Sequence, residues 1–271
     1  QLGLGFGLGS QRAMLVRPET TRTYTVRDVA PNMLLLGNLG LVQARDLSTA
    51  EIKRLVDTVG ADALCLHLNP AMELIQPGGD RDFRLGRETL KRLHGELGVP
   101  IVVKETGCGL SRRVGLTVKE LGIGAVDVSG AGGTSWVGVE TRRAVAEARA
   151  LGEELWDWGI PTAASVGLLD GLDLTIIATG GLRTGTDVAH ALALGATAGG
   201  LAAPVLRAHK AGGYDGVIAY LQQVIDSVRA ITFLAGCRTP AELRQAPRVI
   251  GGALRAWLDA GQQDRPIERS A

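Results

Sequence analysis

The chain has 271 residues, 45% of them hydrophobic but only 4% aromatic, and 38 are glycine. A length like this suits one large α/β domain, and such a composition suits close-packed aliphatic layers joined by many tight turns. A formal net charge of +1 gives no reason to expect nucleic acid or an anionic membrane surface as partner, so basic residues that matter act locally. Cys65, Cys108 and Cys237 are odd in number, widely spaced and without a CxxC pair. They indicate neither a zinc site nor a disulfide framework, and a cytoplasmic setting is the default expectation. No uninterrupted run of about 18 apolar residues is present, and the start lacks a signal-peptide layout.

In chain order, Leu2 to Gly9 alternates apolar residues with glycine and reads as a strand feeding the polar turn Ser10-Gln11-Arg12. Met33 to Leu36 is a short apolar strand ending at Gly37-Asn38. Ser48, with Glu51 three residues on, predicts a capping box for a helix over 49–59. Ala63 to Leu68 is a buried strand ending in His67, Asn69 and Pro70, and a polar loop with Glu73, Gln76, Asp80, Arg81 and Asp82 follows. A helix over 88–97 leads to the strand Ile101-Val102-Val103, which ends in Lys104-Glu105. Ser111 begins a helix to Leu121, and the next strand runs from Gly124 to Ser129. The segment after Glu140 is mostly helical, with one more short helix from Pro161-Thr162 to Leu169. Leu174 to Ala178 is a strand ending in Thr179-Gly180-Gly181, Thr184 starts a helix to Leu194, and Ala196 to Ala203 reads as the last strand. Tyr214 to Leu234 predicts a long amphipathic helix. Residues 1–258 read as a single domain and 259–271 as a polar tail.

Strands that are apolar runs rather than alternating patterns, separated by helices, are parallel and buried on both faces. An open doubly wound sheet and a barrel both fit this alternation. The barrel is favoured because polar or small residues stand at the C-terminal end of every strand: Ser10, Asn38, His67, Lys104, Ser129, Gly180 and Ala203. An open sheet would gather them at one switch point. Seven strands are visible, so the expectation is a (β/α)₈ barrel whose first βα unit lies upstream of Gln1.

Several groups carry chemistry on this frame. Gly130, Gly132 and Gly133, followed by Thr134, Ser135 and Glu140, let backbone amides approach a ligand closely. The glycine-rich ends at 179–185 and 199–203 match the position where such barrels bind phosphate. Lys104, at the end of a buried strand, is suited to stabilising negative charge on an electron-accepting ring. Glu73 beside a phosphate ligand suits Mg²⁺, and Arg12 is shaped to clamp phosphate oxygens. Each group also has a plainer reading as a turn, a solvated loop or a structural histidine.

Eight motifs recur in one order: GSQRA (9–13), GNLG (37–40), LHLNPAME (66–73), QPGGDRDF (76–83), VVKETGCGLS (102–111), DVSGAGGTSW (127–136), IPTAAS (160–165) and TGGLRTGTDVAHALALGA (179–196). In these the chain resembles the type 2, flavin-dependent isopentenyl diphosphate isomerases, over about Leu2 to Leu258. The resemblance implies a barrel that binds FMN and requires Mg²⁺ and a reductant, usually NADPH. It implies conversion of isopentenyl diphosphate to dimethylallyl diphosphate, with no net redox change, in a homotetramer or homo-octamer. It implies FMN contacts from Ser10, Asn38, Lys104, Ser129, Thr134, Gly180, Gly181, Leu182, Ala202 and Ala203. Ser10, Gln11 and Arg12 are implied beside the diphosphate, and His67 and Asn69, with the position of Met72, along the substrate pocket. Glu73 is implied as the Mg²⁺ ligand and Glu140 as the acid near metal and substrate, so that Glu140, His67 and Lys104 make up the catalytic set.

Two departures stand out. Where the family carries a glutamine just before the metal-binding glutamate, this chain has Met72, which cannot form an ordinary hydrogen bond. Gln76 lies four residues later. The upstream unit, which in the family brings basic substrate residues and an FMN loop, is not in this sequence. One alternative is an FMN-dependent oxidoreductase on the same barrel, but it needs a histidine base at a strand end, and His190 and His209 stand elsewhere. The other is a flavin- and prenyl-diphosphate-binding homologue whose isomerase activity is impaired because Met72 replaces the usual glutamine.

Overall fold

A computed structural model describes residues 1–261. Seven parallel strands form one sheet in strict sequence order: β1 (Phe6–Gly7), β2 (Leu35–Gly40), β3 (Ala63–His67), β4 (Ile101–Lys104), β5 (Ala125–Asp127), β6 (Thr175–Ala178) and β7 (Ala198–Gly199). Each strand pairs with its sequence neighbours, so β1 and β7 are the two edges. The helices among the described residues are α1 (Arg12–Val16), α2 (Leu41–Asp46), α3 (Thr49–Val59), α4 (Pro70–Ile75), α5 (Gly86–Glu96), α6 (Arg112–Glu120), α7 (Trp136–Arg143), α8 (Ala146–Glu154), α9 (Thr162–Leu169), α10 (Gly185–Leu194), α11 (Ala203–Leu234) and α12 (Gly252–Gly261).

Successive strand residues point to opposite faces, and here each face has its own core. Leu35, Leu64, Leu66, Ile101, Val103, Val126 and Ile176 join the helices in one large apolar cluster. Ala63, Cys65 and Val102, with Leu36, Ala125 and Ile177, pack among themselves on the inner face. An inner layer of small and medium side chains lets a sheet curl tightly, as a barrel requires. Where the chain continues past that layer towards the strand ends, the same inward positions become Asn38, His67, Lys104, Asp127 and Thr179.

The predicted boundaries hold where a local signal sets them. Ser48 caps α3 in a capping box with Glu51, Thr184 caps α10 in another with Asp187, and Ser111 caps α6. Four expectations are corrected. The strand expected over 2–9 is paired only at Phe6–Gly7. The polar loop after His67 contains α4, started by Pro70, whose missing N–H costs a helix nothing in its first turn. The last strand stops at Gly199, because the chain turns at Gly200–Ala202 and Ala203 opens α11. The helix expected from Tyr214 therefore begins earlier, with non-helical backbone at Gly212 and Gly213 between its two parts. By length and composition α11 is the one described helix apolar enough to span a membrane; here Tyr220, Val224, Val228 and Ile231 pack it against the main core. Of the tail expected over 259–271, residues 259–261 belong to α12 and the rest lie outside the described residues.

Candidate active site

The inner-face polar residues converge at the C-terminal rim of the sheet. His67, Lys104 and Asp127 are register partners on β3, β4 and β5. The Lys104 ammonium lies 3.2 Å from an Asp127 carboxylate oxygen and donates to the Glu105 carbonyl at 2.9 Å. Asp127 also accepts from the Ser129 N–H at 3.1 Å and from the Thr179 hydroxyl just past the end of the next strand. On the other side, His67 Nδ1 is 2.9 Å from Asn38 Oδ1. Since the Asn38 amide donates to the Leu8 carbonyl, its oxygen is the acceptor and His67 carries its proton on Nδ1. Burial, and then the Lys104 charge, hold the His67 pKa down at about 4. At neutral pH this ring is an uncharged donor and acceptor beside a cation.

A second group lies at the mouth above β3. Glu73 and Asn69 are both buried, and one Glu73 oxygen accepts from the Asn69 amide at 2.6 Å. Its other oxygen accepts from the Asp80 N–H at 2.7 Å. The Asp80 side chain in turn takes Arg12 at 3.3 Å and Gln43 at 2.6 Å. The loop at 76–83 thus folds back and joins the β1 turn to α4. Helix α4 packs on α7 through Ala71, Ile75, Val137 and Ala144, so the buried acids Glu73 and Glu140 ride on facing helices. Glu140 has an exposed partner, Arg143, at 3.2 Å. Among the described residues no three His, Cys, Asp or Glu side chains gather as a ready metal cage. One carboxylate with free lone pairs is what Mg²⁺ uses when phosphate oxygens and water complete its shell, and Glu73 fits that role.

The glycine loops meet each other. Gly180 and Gly181 have φ of 100° and 88°, and a Cβ on either would lie 2.2 and 2.3 Å from the carbonyl oxygens of Gly130 and Gly132. Arg183 closes the junction by donating to the Gly181 and Gly132 carbonyls. Ser129 holds φ 36° at the start of this turn, a conformation that its N–H bond to Asp127 supports. Beside the loops is a half-open cavity of about 450 Å³. Met72, Glu105, Cys108, Thr134 and Trp136 are among its lining residues, and Gln76 is not.

The sequence-derived residues divide accordingly. Asn38, His67 and Lys104 stand together on the inner face, Thr134 lines the adjoining cavity, and Gly180 and Gly181 form the rim. Ser10 lies in the turn after β1, where its hydroxyl accepts from the Arg12 N–H. Four residues sit otherwise than expected. Gln11 is wholly buried, donating to the Leu55 carbonyl and accepting from the Asn38 N–H, so it braces β2 instead of reaching a diphosphate. The Leu182 side chain is in the core, which leaves only its backbone to face a ligand. Ala202 and Ala203 start α11 rather than end a strand. Sequence reasoning gave no role to Asp127, Thr179 or Glu105. For Asp127 a signal existed: the one-residue spacing to Ser129 in DVS places it on the inner face that Lys104 occupies.

A curled parallel sheet of this order, with an inner polar rim and glycine-rich ends, is the frame of an α/β barrel. The family model for FMN-dependent dehydrogenase matches residues 71–249. The fold is similar to that of a mandelate oxidase variant with a monooxide FMN adduct (TM-score 0.63, 19% identity, 92% of this chain and 79% of that one). It is also similar to a flavocytochrome b2 variant (TM-score 0.59, 17% identity, 90% and 62%). The chain is 46% identical over 266 residues to the isopentenyl-diphosphate delta-isomerase of Thermococcus onnurineus, covering 96% of this chain and 71% of that protein. It is 44% identical over 262 residues to the enzyme of the same name from Methanothermobacter thermautotrophicus, covering 96% and 72%. The chain belongs to the isopentenyl-diphosphate delta-isomerase family.

Proposed function

We propose that this chain isomerises isopentenyl diphosphate to dimethylallyl diphosphate, with FMN in the barrel mouth. The observation that carries the reading is the row His67–Lys104–Asp127, flanked by Asn38 and Thr179 and facing the glycine rim, in a chain of this family. When bound and reduced, the flavin supplies a proton-transferring ring face next to the alkene. The protein residues do the rest. Lys104 is the cation for a ring that gains negative charge. His67, neutral and fixed in tautomer by Asn38, offers Nε2 as a hydrogen-bond acceptor. Glu73, supported by Asn69 and with Glu140 on the facing helix, holds Mg²⁺, and Arg12 reaches the diphosphate by leaving Asp80. Ser10, Ser129 and Thr134 offer hydroxyls or backbone to the flavin, and Gly180 to Leu182 and Ala202-Ala203 offer backbone N–H groups. NADPH is the reductant in this reading.

Further parts of the proposal concern the whole protein. Residues 1–258 act as one barrel domain, in which a further strand between the edges β1 and β7 would close the sheet. The working form is a cytoplasmic homotetramer or homo-octamer. Met72 replaces a hydrogen-bonding side chain with a thioether, so a variant with Met72→Gln is expected to turn over faster than the parent. The test is direct: protein with FMN, NADPH, Mg²⁺ and isopentenyl diphosphate, followed for dimethylallyl diphosphate. Product that needs both reduced flavin and Mg²⁺ supports the reading. Bound flavin with no product from either protein overturns it and leaves a flavin-binding relative without this activity.

A further inference from the structure

We infer that Asp127 is a positioning residue that sets, through Lys104, how strongly the barrel mouth prefers a negatively charged ring to a neutral one. This rests on the reading of the mouth as a flavin site. Asp127 is nearly buried and its carboxylate is the sole acidic partner within ion-pair distance of Lys104 among the described residues. It cannot swing away. The Ser129 N–H holds one oxygen, and the Thr179 hydroxyl, just past the end of β6, holds that same oxygen. The other oxygen faces the ammonium at 3.2 Å. The three strand ends β4, β5 and β6 are therefore tied at a single carboxylate.

Two consequences follow from the charges. Without a ligand, Asp127 compensates an ammonium that a partly buried site would otherwise leave unpaired, a costly arrangement. With a ligand, the same carboxylate competes with any anion for Lys104. A ring that becomes anionic on reduction gains the attraction of Lys104 and meets the repulsion of Asp127. Asp127 thus trims the advantage that Lys104 confers.

The test uses the full chain and FMN as the probe, comparing dissociation constants for oxidised and photoreduced FMN by flavin fluorescence and absorbance under anaerobic conditions. The ratio of the oxidised to the reduced constant reads the preference without any turnover. Asp127→Asn keeps shape and an acceptor for the Ser129 N–H but removes the charge. With the like charge of the carboxylate removed from beside the ring, the ratio is expected to rise about tenfold. Lys104→Met is expected to lower it. If Asp127→Asn is not folded by circular dichroism, Asp127→Ser makes the same charge change and keeps a hydroxyl acceptor for Ser129. An unchanged ratio in the folded charge-removing variant, alongside a fall in Lys104→Met, overturns the inference alone. Parent protein that takes up neither form of FMN, or a Lys104→Met ratio equal to the parental one, overturns it together with the flavin reading of the mouth.

Discussion

His67 and Glu105 titrate in opposite senses. The folded His67 has a pKa of about 4 against an ordinary 6.5, because burial and the Lys104 charge both disfavour imidazolium. As pH falls from 6.5 towards 4 the unfolded chain binds a proton that the folded one refuses, so this group makes stability fall with falling pH. Glu105 has its carboxyl pushed up by burial to about 7, against the N–H bonds from Cys108 and Thr106 that pull it down. From about 4.5 to 7 the folded state keeps a proton that the unfolded one has lost, so here stability falls with rising pH. Thermal unfolding across pH separates them. His67→Asn is expected to flatten the acid limb of melting temperature between pH 4 and 6.5, and Glu105→Gln the decline between pH 4.5 and 7. An unaltered limb in either variant would show that the group is not shifted as described.

At the scale of elements, the rim depends on backbone approach. Gly180 packs on Gly130, and Gly181 on Gly132, at distances no Cβ tolerates, and both hold positive φ. Gly180→Ala is expected to lower stability by about 1–3 kcal/mol, from strain and overpacking together, and to weaken FMN uptake. Gly95, in α5 with nothing near its missing Cβ, is the control: Gly95→Ala should raise stability by roughly 0.5–1 kcal/mol. Denaturant unfolding and FMN titration check both, and equal effects at the two sites would contradict the packing account. The capped helices α3, α6 and α10 were legible because Ser48, Ser111 and Thr184 announce them within a few residues. The six-residue α4 was not, since it is too short to show an apolar period. Its helix is stabilised by packing Ala71 and Ile75 on α7, a contact distant in sequence.

For the molecule as a whole, the curl of the sheet follows from its small inner layer, and the outer helices supply the larger core. Beyond the side of α11 that packs on that core, Leu206, Tyr214, Phe233 and Leu234 are exposed. Apolar surface of this kind accompanies association between copies. Static light scattering is expected to give a mass of several times 28.3 kDa, and a monomeric mass would remove the oligomer from the proposal.

The sequence by itself determined the parallel βα order, the seven strands and their polar or glycine-rich ends, because each is written in local patterns: apolar runs, caps and glycine clusters. It also determined that Asn38, His67 and Lys104 belong to one site, through the order of the motifs. Only the tertiary structure decided which way side chains turn once there. Gln11 went inward to brace β2, and Leu182 went to the core. Asp127, whose inner face the spacing to Ser129 already gave, acquired Lys104 as its partner only through the strand register. Those outcomes depend on register and curl, which bring residues 23 positions or more apart to within one hydrogen bond, and no local pattern encodes that.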